Sequence, residues 1–399
     1  MAFDVARVRG LIPALGDGWV HVDGTAGMHA PEEVAFATLR ALRAPVSAPG
    51  GVFPASLVAE ETEHAARQAV ADLVGADPRG VVIGPGVAVL LRRLADALGE
   101  TWILGDEIVL SRLDDVSNVT PWLRNAQRKG VGVRWAEIDI ETCELPDWQF
   151  DDLLERTTRV VALTAASPHV GTRPDIPKIA ERTRENGALL VVDISAAAPF
   201  GPQDIDALGA DVVALDAAAW GGPRLGALVF RAPALLDRLA SCSLEPAARG
   251  PRRLEVGPHS CPQLAGLIAS IDHLAGLDDT AAGTRRERLI ASMAEVKSYQ
   301  AGLLATLLVE LRTRTGALVI GDPMRRVPML SFTHASVKAP DVVEHLADRG
   351  ICAFADPGDH GVLAHLGSAE VGGVVRVGLA HYTNAAEVEA LVSAVAELG

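Results

Sequence analysis

Ala188-Leu-Leu-Val-Val-Asp193 is an unbroken apolar run that ends on a carboxylate. A strand with one wetted face alternates apolar and polar residues, whereas a run without alternation is covered on both faces, so helices must lie on either side of its sheet. Outward from this run the same texture repeats. Toward the N-terminus, residues 80–84, 108–110, 131–136 and 160–164 read as strands, with helical stretches at 87–98, 118–129 and 176–186; toward the C-terminus, strands follow at 211–215 and 227–231. This alternation predicts an α/β domain, a three-layer αβα arrangement around a mostly parallel sheet.

Beyond residue 283 the pattern changes. One long helical stretch, 285–314, precedes strand-like runs at 317–320, 329–332, 351–354 and 374–379, with helices at 339–349 and 385–398. This describes a smaller α+β C-terminal domain, 283–399, beside a large domain, 51–282. Residues 44–53 carry Pro45, Pro49 and Gly50-Gly51 and read as a crossing from an N-terminal arm, 1–50, which is expected to pack with the small domain.

Composition narrows the function. At 399 residues and 49% hydrophobic the chain can bury a large core, and a net charge of −15 with pI near 5.2 argues against nucleic acid or an anionic membrane surface as partner. The Arg clusters, Arg285-Arg286 with Arg288 and Arg325-Arg326, are short and read as solvated faces. No stretch offers the roughly 20 uncharged apolar residues of a membrane span. Cys143, Cys242, Cys261 and Cys352 have no metal-binding spacing, so no metal site is expected, and residues 1–10 carry Asp and Arg where a signal peptide needs an apolar run; a reducing cytoplasm fits. Gly84-Pro-Gly86-Val-Ala-Val-Leu lacks the third glycine of a dinucleotide-binding turn.

Arg112-Leu-Asp-Asp-Val-Ser-Asn-Val-Thr-Pro-Trp122, Ser167-Pro-His-Val-Gly-Thr172, Leu189-Leu-Val-Val-Asp193, Asp216-Ala-Ala-Ala-Trp-Gly-Gly-Pro-Arg-Leu-Gly226 and Val374-Val-Arg-Val-Gly-Leu-Ala-His-Tyr-Thr-Asn384 follow one another in a recognisable order. With His21-Val-Asp-Gly-Thr-Ala-Gly27 they cover nearly the whole chain. In order and spacing these segments resemble the cysteine-desulfurase-like branch of the class V aminotransferase family. The resemblance implies a fold-type I pyridoxal-phosphate (PLP) transferase architecture, and an obligate homodimer whose active site lies between the domains and draws on both subunits.

A PLP enzyme needs an amine for the Schiff base, a carboxylate against the pyridine nitrogen, a group over the ring, and donors to the phenolic oxygen and the phosphate. The resemblance places the Schiff-base lysine at Ala219. Only Lys129, Lys178, Lys297 and Lys338 occur in the chain, and an arginine cannot form the imine. Asp193 matches the pyridine carboxylate. The ring-stacking histidine position is Asp115, the phenolate donors are Ala196 and Pro168, and the phosphate-side positions are Gly86, Val87 and Ala88 at the helix start, Pro258 after Glu255-Val-Gly, and Asp216. A carboxylate about 4 Å from a phosphate dianion costs several kcal/mol, against at most about 2 kcal/mol from a helix N-terminus. Asp114, Asp115, Asp193 and Asp216 together are expected to make the pocket acidic and exclude phosphate, so no cofactor is expected to bind tightly although PLP is the family's cofactor.

Asn118 and Tyr382 match neighbouring family positions, and Arg376 matches the arginine that grips a substrate carboxylate; an Arg in an apolar strand points to an anion or an ion-pair partner. The loop 355–361, where a desulfurase carries its nucleophile, has no Cys; Cys352 reads as a core thiol, and His169, His259 and His381 as core histidines with no dyad. The expectation is a non-catalytic homodimer with a vestigial PLP site, its cleft free for a small anionic or carboxylate ligand. The alternative is an active aminotransferase or desulfurase-like lyase working without an internal aldimine.

Overall fold

The computed structural model describes residues 3–399. Its strands are β1 (Val20–His21), β2 (Val81–Gly84), β3 (Glu107–Ser111), β4 (Gly132–Ala136), β5 (Thr158–Thr164), β6 (Leu189–Asp193), β7 (Val212–Asp216), β8 (Gly226–Phe230), β9 (Ala317–Val319), β10 (Met329–His334), β11 (Ile351–Cys352), β12 (Phe354–Asp356) and β13 (Val374–Gly378). β2 to β8 form one sheet in the order β2-β8-β7-β6-β5-β3-β4, parallel throughout except for β8, which runs antiparallel to both neighbours. The quoted run lies at its centre as β6.

Successive side chains of these strands enter two different cores, which is why the runs carry no polar alternation. Val161, Leu163, Leu190 and Val192 pack on one side with the helices Pro54–Val74, Ile176–Glu185 and Cys261–Ala275. Val160, Ala162 and Val191 pack on the other with Val87–Gly99 and Val116–Lys129, against Leu90, Leu94 and Trp122. Three layers result, as the sequence predicts.

The smaller sheet, β12-β13-β10-β9, is antiparallel, and β1 of the arm pairs in parallel with β11. The run 351–354 is therefore not one strand. Ala353 separates β11, which holds the arm, from β12, which joins β13, because the two halves answer to different partners. The Arg285–Arg314 helix opens on a capping box, Thr284 with Glu287, and serves both bodies: Leu289, Met293 and Val296 enter the large core, while Leu303, Leu307 and Leu311 enter the small one. Arm helix Glu32–Arg43 lies against Cys261–Ala275, so the arm also touches the large body. No described helix is long and apolar enough to cross a membrane.

Candidate functional site

β5, β6 and β7 end side by side, and their last residues, Thr164, Asp193 and Asp216, line one cleft of about 380 Å³. Ligands of open α/β sheets collect at this carboxyl edge. The small body closes it with Met329 of β10 and Arg376 of β13, and the arm adds Gly24 to Gly27. Asp115, Asn118, Val87, Pro168, Ala196 and Ala219 also line it; Ala88 is exposed at the helix surface outside the cleft wall, and Pro258 faces separate cavities. None of the four lysines reaches this wall.

Asp216 sits where β7 turns into a short 3-10 segment, Ala217–Trp220, that carries Ala219. One carboxylate oxygen accepts from Ala218 N–H at 3.1 Å, and the other accepts from Val87 N–H at 3.3 Å. Val87 is the first residue of its helix, and Gly86 before it has φ +131, a conformation that L side chains rarely adopt. An anion of the chain itself thus takes an orphan donor at a helix N-terminus.

Asp193 accepts from Ser195 N–H at 2.9 Å, and burial pushes its carboxyl up to about 6, with the charges of Asp115 and Asp216 acting in the same direction. Asp115 goes the other way. Burial raises it, but hydrogen bonds from His169 and Ser117 outweigh burial and hold it well below the usual carboxylate range. Its partner is His169 Nε2 at 3.2 Å, and His169 Nδ1, buried and without a hydrogen bond, lies 4.0 Å from Asp356. The expectation that His169 belongs to no dyad is thus wrong: the chain brings Asp115 and His169 together from segments 54 residues apart, which spacing alone does not reveal. His259 likewise pairs with Glu255 at 3.2 Å, and His381 stands 3.2 Å from His273.

Asp114 does not line the cleft. It lies buried beneath it, taking hydrogen bonds from Ser111 Oγ and from Asn118 Nδ2 at 2.6 Å, and burial pushes it up to about 7. Two of the four carboxyls that read as a uniformly acidic pocket therefore favour the neutral form relative to a free aspartate, because water is excluded from them. Asn118 is spent on Asp114 and on Trp122 Nε1, which donates to its carbonyl at 3.3 Å.

Arg376 is also engaged. Its guanidinium meets Asp356 of the neighbouring strand at 3.2 Å and the carbonyl of Pro168 at 3.3 Å, which ties the small body to the cleft wall. Arg224, which the sequence analysis did not single out, is exposed at the cleft and makes no ion pair among the described residues; its place after Gly221-Gly222-Pro223 was the available signal. Cys352 is half-buried on β11 beside the arm, so it is not the core thiol expected. Tyr382 is buried, its hydroxyl accepting from His29 N–H at 3.2 Å.

Residues 20–391 match the family model described as Aminotransferase class-V. The chain is 49% identical over its full length, and over the full length of the relative, to the uncharacterized protein MT3887 of Mycobacterium tuberculosis. It is 29% identical over 351 residues, 84% of this chain and 82% of the relative, to a probable cysteine desulfurase of Pseudomonas putida. The crystal structure of a cysteine desulfurase from Escherichia coli superposes with a TM-score of 0.84 at 25% identity, covering 99% of this chain and 98% of that one.

Proposed function

The chain belongs to the class V aminotransferase family, and within it we propose a member that has given up PLP chemistry and keeps the fold as a non-catalytic homodimer. PLP is the cofactor of this family. The residues present do not fit it. Ala219, at the position of the Schiff-base lysine, offers no amine, and no other lysine enters the cleft. The observation that carries the proposal is Asp216: its carboxylate already holds the Val87 N–H that a phosphate would need. Asp115 replaces the ring-stacking group and is turned toward His169, while Ala196 and Pro168 have no side-chain donor for a phenolate.

The space and the uncommitted Arg224 suit a small carboxylate or another small anion that avoids the Val87 end of the cleft. The dimer is supported by apolar side chains left exposed along one stretch of the chain, Phe36, Leu39 and Leu42 of the arm helix and Val52, Phe53 and Leu57 after it. A reducing compartment suits the four free cysteines.

The second reading, an enzyme working without an internal aldimine, is favoured by one observation: Asp115 and Asp193 line the same cleft with protonation held apart, which is how acid and base pairs arise. The experiment is an absorbance titration of the chain with PLP, followed by gel filtration and borohydride reduction. No retained chromophore and no reduced adduct are expected; a stoichiometric band surviving filtration would refute the proposal.

A further inference from the structure

The arm contains a cluster that the cleft does not use. His21 is buried on β1, and its Nδ1 lies 3.0 Å from His29 Nε2 and 3.6 Å from an oxygen of Asp23; the three groups can offer ligand atoms all within 4.8 Å of one another. A tetrahedral divalent ion held at about 2.0–2.2 Å by nitrogen and oxygen spaces its ligands by roughly 3.4 Å. The two shorter separations bracket that value; the third, between His29 Nε2 and the Asp23 carboxylate, lies within 4.8 Å and must close by up to about 1.4 Å, which rotation of these two partly exposed side chains can supply.

The protons are arranged to suit. His21 Nε2 is 3.1 Å from Asp17, which places the proton on that nitrogen and leaves the Nδ1 lone pair facing His29 and Asp23. A carboxylate behind a histidine, fixing its tautomer, is the usual support of a metal ligand. No Lys or Arg competes: among the described residues neither Asp17 nor Asp23 has a Lys or Arg nitrogen within 4.0 Å, only the His21 ring. The other such cluster, Glu63, Glu255 and His259, already holds a cation of the chain itself, because Arg67 reaches Glu63 and Glu255 at 2.7 Å each.

We propose that His21 Nδ1, the Asp23 carboxylate and His29 Nε2 bind one divalent ion of the zinc class, with Asp17 orienting His21 and the remaining position open to water. Two imidazoles and one carboxylate suit such borderline ions. In the metal-free chain His29 Nε2–H donates to His21 Nδ1, and binding sends that proton to His29 Nδ1 or to solvent. The ion would pin three parts together: β1, which pairs with β11 of the small body; the His29 backbone, which donates to Tyr382; and Met28, whose N–H donates to the carbonyl of Ala218 beside Ala219. This inference is independent of how the cleft is read.

The test uses the full untagged chain stripped with a chelator and titrated with Co²⁺, followed by visible d–d absorption, and with Zn²⁺, followed by calorimetry and melting temperature. One equivalent per chain is expected, with tetrahedral-type cobalt bands and a melting temperature that climbs with Zn²⁺ concentration. His29→Gln and Asp23→Asn, both at partly exposed positions, should each abolish the bands. Asp17→Asn should weaken binding about 10–100-fold, and His259→Gln should change nothing. Absence of saturable binding by the parent chain overturns the proposal whatever the variants do. So does binding that survives in both His29→Gln and Asp23→Asn, or that disappears in His259→Gln.

Discussion

Ala219→Lys supplies the one group able to form an aldimine, and it is expected to leave the chain unable to hold PLP. The magnitude follows from Asp216. Its carboxylate oxygen lies 3.3 Å from Val87 N, so a phosphate on the same donor would sit on the order of 4 Å from it. Each unit charge pair at that distance costs about 4 kcal/mol at an effective dielectric of about 20, hence about 8 kcal/mol for a dianion, while the helix terminus returns at most about 2 kcal/mol. Halving the net for the half-buried Asp216 still leaves roughly 3 kcal/mol, more than 100-fold in affinity. The new amine would stand near Asp216 and Asp193, stay protonated, and fail to attack an aldehyde. The combined change Ala219→Lys, Asp216→Ser, Asp115→His and Ala88→Thr removes the repulsion and restores stacking, and is expected to bind measurably better. Absorbance titration of both variants, then borohydride reduction and peptide mass analysis, decides it. Stoichiometric labelling at position 219 in the single variant, with affinity near that of the quadruple one, would refute the reasoning.

Sedimentation at micromolar concentration should show a dimer, and Phe36→Asp with Leu42→Asp should shift it to monomer; an unchanged dimer places the interface elsewhere. Asp114 has its folded pKa raised to about 7, so it binds more protons folded than unfolded and its contribution to stability falls as pH rises from about 4 to about 7. Asp114→Asn, which keeps an acceptor for Asn118, should therefore gain on the parent chain as pH rises from about 4 to about 7, by up to about 4 kcal/mol in urea melts; a pH-independent difference would count against it. Arg67→Met takes from Glu63 and Glu255 the buried cation they share, leaving as ion-pair partners only Arg252 at 3.8 Å for Glu63 and only His259 at 3.2 Å for Glu255, and should cost about 3 kcal/mol in the same assay; a loss below about 1 kcal/mol would show that these partners, water or protons suffice.

The layered α/β architecture was legible because its signals are local. Runs such as residues 188–193 and 160–164 lack polar alternation wherever helices cover both faces, and 285–314 reads as one long helical stretch because no Pro breaker interrupts it. The helices Pro54–Val74 and Cys261–Ala275 leave no clear stripe in the sequence, since burial at Ser56, Glu63, Arg67 and Ser270 blurs their apolar faces. Several cleft residues were nameable in advance only through the resemblance to a family whose segments they occupy, and Asp193 also because it ends a buried strand.

Sequence alone determined which chemical groups exist: four lysines, none in the Asp216–Gly226 segment, and carboxylates where phosphate and ring contacts would be. Only the tertiary structure decided what those groups do. It turned Asp216 onto the Val87 amide, Asp115 onto His169 and Arg376 onto Asp356, buried Asp114 below the cleft, and drew His21, Asp23 and His29 together. The physical reason is range. Strand and helix signals come from residues a few positions apart, whereas a carboxylate's protonation and partner depend on water exclusion and on side chains brought in by chain segments far away in sequence.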